Sequence, residues 1–304
     1  MSLPREVLPG RTYMITRRCT QRQFLMRPDP ETNNAFLYCL IVAALRYQIE
    51  ILFSVANSNH HHTGIYDPSG RYPDFLAYFH KLFAKCQNAW RGRWENFWSS
   101  EQTSVVRLVE ADDALDKMIY ALTNPVKDHL VEKAHHWPGF SSLQANLKGR
   151  KVTATRPRHF FREDGSMPDA VTVCFARPEG YKKMSQHDFE KLLLRRIRAV
   201  ETEAAAEREK SGRRLLGRRV VLRQSWRDRP RSAEPRRQMS PRVAAASKWS
   251  RIEALQRNKL FLEEYRAARD KLMAKKRNVL FPAGTYWLHR FAKVPCEPSP
   301  ADPG

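Results

Sequence analysis

"SVANSNHHHTGIY" (Ser54–Tyr66) sets three of the chain's ten histidines side by side within a run of strand-forming residues. Successive side chains of a β-strand alternate faces. His60 and His62 then point to one face, about 7 Å apart along the backbone, and His61 points to the other. Two imidazoles on one face can grip a divalent ion, and such an ion needs a third ligand from elsewhere in the chain. The plainer reading of a histidine pair on a strand is a pair of surface or core residues that hold no metal. The preceding "IEILFSVAN" is a second β-rich run, close enough to be the hairpin partner of "NHHHTGIY".

The pattern continues on both sides. "GRTYMITRR" (Gly10–Arg18) reads as a first strand after a Pro-Gly turn, with Tyr13 and Ile15 alternating against Thr and Arg. "DPETNNAFLYCLIVAALRYQ" opens with turn residues and becomes a long apolar helix from about Glu31 to Tyr47. "DFLAYFHKLFAKCQNAW" carries Phe75, Tyr78, Phe79, Leu82, Phe83 and Cys86 at helical spacing. "SVVRLVE" is a further short strand, and "ADDALDKMIYALTNPVKDHLVEKA" a helix with acids in its first turn, as the helix dipole favours. The order β-α-β-β-α-β-α predicts an α+β fold, a ferredoxin-like antiparallel sheet with helices on one face.

At 304 residues the chain is long enough for two domains, or for one with a long extension. Its net charge is +22 and uneven: residues 1–150 hold 18 basic and 14 acidic side chains, whereas residues 151–304 hold 36 and 18. A positive field on that second half attracts polyanions, of which nucleic acid is the commonest in a cell. Solubility alone is the bland explanation, but 7 Trp, 10 Tyr and 15 Phe are available for stacking on bases. The five cysteines are scattered, with no Cys-x-x-Cys pair, which argues against a disulfide framework or a zinc ribbon. The longest apolar run, Ala35–Leu45, is too short to span a bilayer. No signal pattern opens the chain, so the expectation is a cytoplasmic protein with no membrane partner.

Beyond Ser142 the character changes. "DAVTVCFARPEGY" reads as a strand and turn, and "SQHDFEKLLLRRIRAVETEAAAEREKSG" as a charged helix with Ser185 and Asp188 at capping-box spacing. Residues 211–245 form an Arg- and Pro-rich linker, expected to be partly disordered without a polyanion. "SKWSRIEALQRNKLFLEEYRAARDKLMAKKRN" is another helix, and "VLFPAGTYWLHRFAKV" an aromatic strand with the pattern to complete the sheet.

The chemistry gathers around "MIYALTNPVKDHLV". On a helix over 111–134, Tyr120 and Asn124 are four residues apart and project from one face. Asn offers a neutral oxygen that can complete a divalent site with two imidazoles, a mixed set that suits Mn²⁺ or Mg²⁺. A tyrosine beside that ion is a natural nucleophile; the alternative is a helix tyrosine half buried against the sheet. Trp137 and Phe140 in "HHWPGFSS" read either as base-stacking residues or as a core cluster.

Together "GRTYMITRRCTQRQFLM", "SNHHHTGI" and "YALTNPVKDHLVEKAHHWPGFSS" resemble the single-tyrosine HUH transposases, especially the REP-associated tyrosine transposases. That family reads strand–Arg–Gly–helix, Pro-Asn-His-x-His, Tyr-Ile-x-x-Asn-Pro-Val and Trp-Ser-Ser-Tyr in this order. The match covers roughly residues 5–145, leaving residues 146–304 as a basic, helix-rich extension. The resemblance implies that His60, His62 and Asn124 are the metal ligands and that Tyr120 forms a 5′-phosphotyrosine bond with single-stranded DNA. It also implies a packed role for His61, because the family's middle place is usually bulky and apolar. Three places depart from the pattern: Thr63-Gly64 replaces Leu-Leu, Ser58 replaces Pro, and Arg17-Arg18-Cys19 replaces the Arg-Gly turn. The first is expected to weaken a core strand.

The expected function is therefore a DNA transposase, a metal-dependent transesterase that cleaves and rejoins single-stranded DNA at hairpin-flanked sites, working as a monomer or homodimer. The hairpin preference comes from the resemblance alone. Arg17, Arg18 and Arg22, and Arg213, Arg214, Arg218 and Arg219 in the extension, are the expected phosphate contacts. Two other classes share the pattern: a domesticated DNA-binding protein that no longer cleaves, and a ferredoxin-like RNA reader. Neither forms a covalent adduct.

Overall fold

The computed structural model describes residues 4–231 and 241–299. Strands β1 (Arg11–Arg18), β2 (Glu50–Ala56), β3 (His60–Asp67) and β4 (Ser104–Leu108) form an antiparallel sheet in the order β2-β3-β1-β4. Helix α1 (Pro30–Tyr47) joins β1 to β2, and α2 (Tyr72–Arg91) joins β3 to β4. This is the expected ferredoxin-like α+β unit, and its two helices pack on one face of the sheet with Tyr13, Ile15, Ile51 and Ile65.

Local chemistry sets the helix ends. Asp29 caps α1 by accepting the Thr32 amide at 2.7 Å, with Pro30 in the first turn. Its second oxygen meets buried Arg91 at 2.6 Å, which ties the end of α2 to the start of α1. Gly92 ends α2 in the left-handed conformation.

The opposite face of the sheet is also covered. Helix α3 (Ala111–Leu122) lies there over Met14, Leu52, Phe53 and Val55. The helix expected over 111–134 stops at Leu122. Thr123 turns its amide and its hydroxyl back onto the Ile119 carbonyl, and Pro125 has no N–H to continue the ladder. A single turn, α4 (Asn124–Lys127), follows.

The core does not divide at residue 145. Helix α5 (Leu143–Lys148) and the long α6 (Gln186–Ser211) supply Leu143, Leu147, Phe189, Leu193 and Ile197 to the α3 face. Ser185 caps α6 by accepting the Asp188 amide, as its spacing predicts. A hairpin of β5 (Val152–Thr155) and β6 (Ala170–Val173) adds Ala154 and Val171 to the α1 face. The extension is thus packed on both layers of the first domain.

Two expectations for the end of the chain are corrected. The fifth strand of the sheet is β7 (Val243–Ala244), paired parallel to β4. "TYWLHRFAKV" instead forms helix α9 (Trp287–Ala292), in which Trp287 and Phe291 stack at 5.5 Å. Their spacing of four residues is a helical repeat, which the aromatic content had masked. Within the Arg/Pro-rich linker, α7 (Arg218–Arg223) is helical and anchored by fully buried Val221, while 232–240 fall outside the described residues. Helix α8 (Lys248–Met273) follows as read.

Gly64 has a structural reason. A Cβ there would lie inside the ring of Phe53, which is fully buried across the β2–β3 hairpin. The aromatic ring fills the space that the missing side chain leaves, which answers the expected weakness of this strand. Gly64→Ala should lower unfolding free energy by about 1–3 kcal/mol through overpacking, with partial recovery when Phe53→Ala is added. Denaturant midpoints of the single and double variants check this; an unchanged Gly64→Ala midpoint would refute the packing argument.

Candidate active site

Strand register puts the chemistry on the α3 face. Thr16 lies opposite His62 and Arg18 opposite His60, so these four side chains share a face. The His60 and His62 ring centroids are 4.8 Å apart. Asn59 Oδ1 accepts from His60 Nδ1 at 2.7 Å. A carbonyl oxygen can only accept, so the proton sits on Nδ1 and His60 Nε2 keeps its lone pair. Thr16 Oγ1 holds His62 Nδ1 at 2.8 Å, and His62 Nε2 is buried with no hydrogen-bond partner.

Asn124 brings its oxygen to the same place. The Asn57 side-chain amide donates to Asn124 Oδ1 at 2.9 Å and lies 3.0 Å from His60 Nε2. Two acceptors therefore aim at one nitrogen, whose hydrogens mark a point of favourable positive potential. With the orphaned His62 Nε2, they form a neutral N, N, O donor set that fits Mn²⁺ or Mg²⁺. Burial, with His60 and His61 alongside, holds the His62 imidazole well below its ordinary pKa and therefore neutral, as a ligand must be. Among the described residues no three His, Cys, Asp or Glu side chains cluster as a metal site.

His61 points to the other face. It is fully buried among Phe36, Phe79 and Trp98, with His80 Nε2 3.0 Å from its own Nε2. It is a packed histidine.

Tyr120 stands over the pair, its ring 5.6 Å from that of His62. It is 39% exposed. Partial burial raises its pKa, Asp128 raises it further, and Arg18 lowers it. Lys127 and Lys117 place ammonium groups 5.4 and 5.7 Å from the ring centroid.

These residues line one cleft of about 1250 Å³, larger than the ~300–1,000 Å³ usual for small-molecule pockets. Of the expected phosphate contacts, Arg18, Arg22, Arg213 and Arg214 line it. The extension reaches the cleft because the Leu216 and Gly217 amides bond the carbonyls of His129 and Leu130, at 2.9 and 3.0 Å. Arg218 and Arg219 are exposed on α7 but do not line the cleft.

Arg17 lies on the opposite face from the cleft. It pairs with His61 across the sheet and so faces the wrong side, where it donates to Glu101 O, Thr103 Oγ1 and Ser99 O. Trp137 is likewise structural, 5% exposed and donating to Ala56 O.

The sequence reading missed Asn57, Asn59 and Thr16, which orient the donors, and Lys117 and Lys127. It also missed His129, which lines the cleft at φ 54° with both ring nitrogens buried and unpartnered. Thr16 was accessible from alternation with Met14, and Lys117 from its place one turn before Tyr120. Nothing local signals His129.

The second face of the sheet thus carries a histidine pair, an asparagine and a half-exposed tyrosine beneath basic side chains. Among solved structures the chain is similar to that of a REP-associated tyrosine transposase bound to a REP hairpin, with a TM-score of 0.42 and 19% identity, over 56% of this chain and 94% of that one. No family model and no curated protein matches the chain. All five cysteines are free. No helix among the described residues is long and apolar enough to cross a membrane.

Proposed function

We propose that the protein is a transposase-type transesterase that cleaves and rejoins single-stranded DNA beside a hairpin, with Tyr120 as nucleophile and His60, His62 and Asn124 as ligands of a divalent metal. The observation that supports it is the convergence of these four side chains in one basic cleft, drawn from β3, α3 and α4. When bound, the metal would polarise the target phosphate and offset charge in the transition state.

The rest of the chemistry belongs to the chain. Tyr120 rests as a neutral phenol, since burial and Asp128 oppose its ionisation. On attack its oxygen forms a bond to phosphorus, the bond from phosphorus to the 3′-oxygen breaks, the phenolic proton is released and the departing oxygen takes one up. One phosphodiester replaces another, so rejoining runs by reversal without an external energy source. Arg18, Lys117 and Lys127 favour the negative charge that develops on the phenolic oxygen and the phosphoryl group. Arg22, Arg213 and Arg214 hold flanking phosphates.

The test is a labelled hairpin oligonucleotide with a single-stranded flank, incubated with protein and Mn²⁺ and run on a denaturing gel. A covalent band that disappears with chelator is expected. Hairpin binding with no covalent band under any metal would leave a DNA-binding protein that does not cleave. His60→Ala and His62→Ala should each abolish the band and bound Mn²⁺, whereas His61→Ala should keep the Mn²⁺. Equal loss of Mn²⁺ in His61→Ala would refute the assignment of faces.

A further inference from the structure

A second groove opens from the catalytic cleft. It measures about 910 Å³ and runs between the turn after β1 and the segment after α7. The two cavities share Phe24, Leu216, Gln224 and Pro230, so they are continuous. Their walls are tied together where the Phe24 amide bonds the Asp228 carbonyl at 2.9 Å.

The groove's chemistry is two-sided. Its floor is apolar, with Phe24 partly exposed and Val220 46% exposed. Its rim carries Arg227, Arg229 and Arg231. The one carboxylate lining it among the described residues, Asp228, accepts the Ser225 amide within its own turn. A cationic rim over an aromatic floor is the arrangement that binds unpaired nucleic acid, because bases offer their π-faces to Phe24 while phosphates meet the arginines. A duplex keeps its π-faces stacked and gains nothing from such a floor.

We infer that this groove, built by the extension, is a second binding subsite for single-stranded DNA, and that it guides the strand away from the catalytic cleft across Phe24. The inference rests on the proposed function, and it assigns the extension a share in substrate binding. The DNA beyond the cleaved phosphate is held here, so a released end stays near Tyr120 for rejoining.

The experiment uses the full chain and fluorescence anisotropy with oligothymidines of about 5 and about 15 nucleotides, lengths that bracket the site sizes of single-strand binding grooves. The longer oligonucleotide should bind more tightly than the shorter. In the Arg229→Ala/Arg231→Ala variant, affinity for the longer one should fall about tenfold, and its log–log salt slope should lose about 1.4 in magnitude, the loss of two phosphate contacts. Phe24→Leu should weaken the longer oligonucleotide and leave the salt slope unchanged. In the Arg229→Ala/Arg231→Ala variant, whose two residues lie outside the catalytic cleft, affinity for the shorter one and adduct formation on a hairpin with a minimal flank should stay as in the parent. Unchanged affinity for the longer oligonucleotide in both variants overturns the inference, as does an equal loss for a duplex of the same length. Failure of the parent to bind either length would count against the proposed function itself, whereas binding and cleavage of short substrates without any gain from length would count against the groove alone.

Discussion

Replacing Tyr120 by phenylalanine should abolish the covalent protein–DNA adduct while changing the dissociation constant for an uncleaved hairpin by no more than about threefold, less than 1 kcal/mol. The substitution removes one hydroxyl and keeps the ring, with its edge on His62 and its face toward Lys117 and Lys127. Packing of α3 on the sheet is carried by Leu115, Met118, Ile119 and Leu122, which the change does not touch. No other tyrosine lines the cleft among the described residues. The adduct is read on a denaturing gel and the affinity by anisotropy with chelator present. An adduct of undiminished yield would place the nucleophile elsewhere. A large loss of affinity would make Tyr120 a binding residue first.

How much of this was legible depended on period. The βαββαβ unit was readable because each strand alternates and each helix repeats at 3.6 residues, and the split of His60 and His62 from His61 follows from the same alternation. Parity also held the answer for Arg17: it shares a face with Tyr13 and Ile15, the side that α1 and α2 bury. The arginine run drew the assignment because charge is conspicuous and facing is not.

Other features were out of reach. The end of α3 at Thr123 is set by a side chain that turns back on its own helix, and the Pro125 ring allows only a one-turn continuation. Tyr120 and Asn124 still reach one cleft, but by two elements rather than one. The roles of Asn57 and Asn59 exist only once the hairpin brings them beside His60. β7 is two residues long and is defined by its partner β4, with no alternation of its own to detect. Likewise the groove along Phe24 joins residues some 200 positions apart, which no local pattern announces.

Truncation after Ser142 should leave no cooperatively folded protein. The sequence places the family resemblance before residue 145 and most of the positive charge after it, and the only element beyond 145 that it reads as completing the sheet is the segment Thr285–Val294. The structure shows why the cut is severe. Phe189, Leu193, Ile197 and Val221 are each at most 4% exposed, and all pack on the α3 face. Val171 and Phe175 do the same on the α1 face at 5% and 6%. Burial of one such side chain stabilises by about 1.5–3 kcal/mol, so their joint loss matches a typical total stability of about 5–15 kcal/mol. The cut also strips polar partners: the Ala134 amide loses the Glu201 carboxylate, and the Leu52 carbonyl loses the Asn146 amide. The surface left behind is a continuous apolar face on α3 and around Trp137, the kind of patch that drives aggregation. Solubility on expression, and a thermal melt of whatever is recovered, give the readout; β7 and the walls at Arg213 and Arg214 would be lost with the rest. A soluble fragment of residues 1–142 with a sharp melt and bound Mn²⁺ would show that the extension is dispensable to the core, and that its charge alone explains its presence.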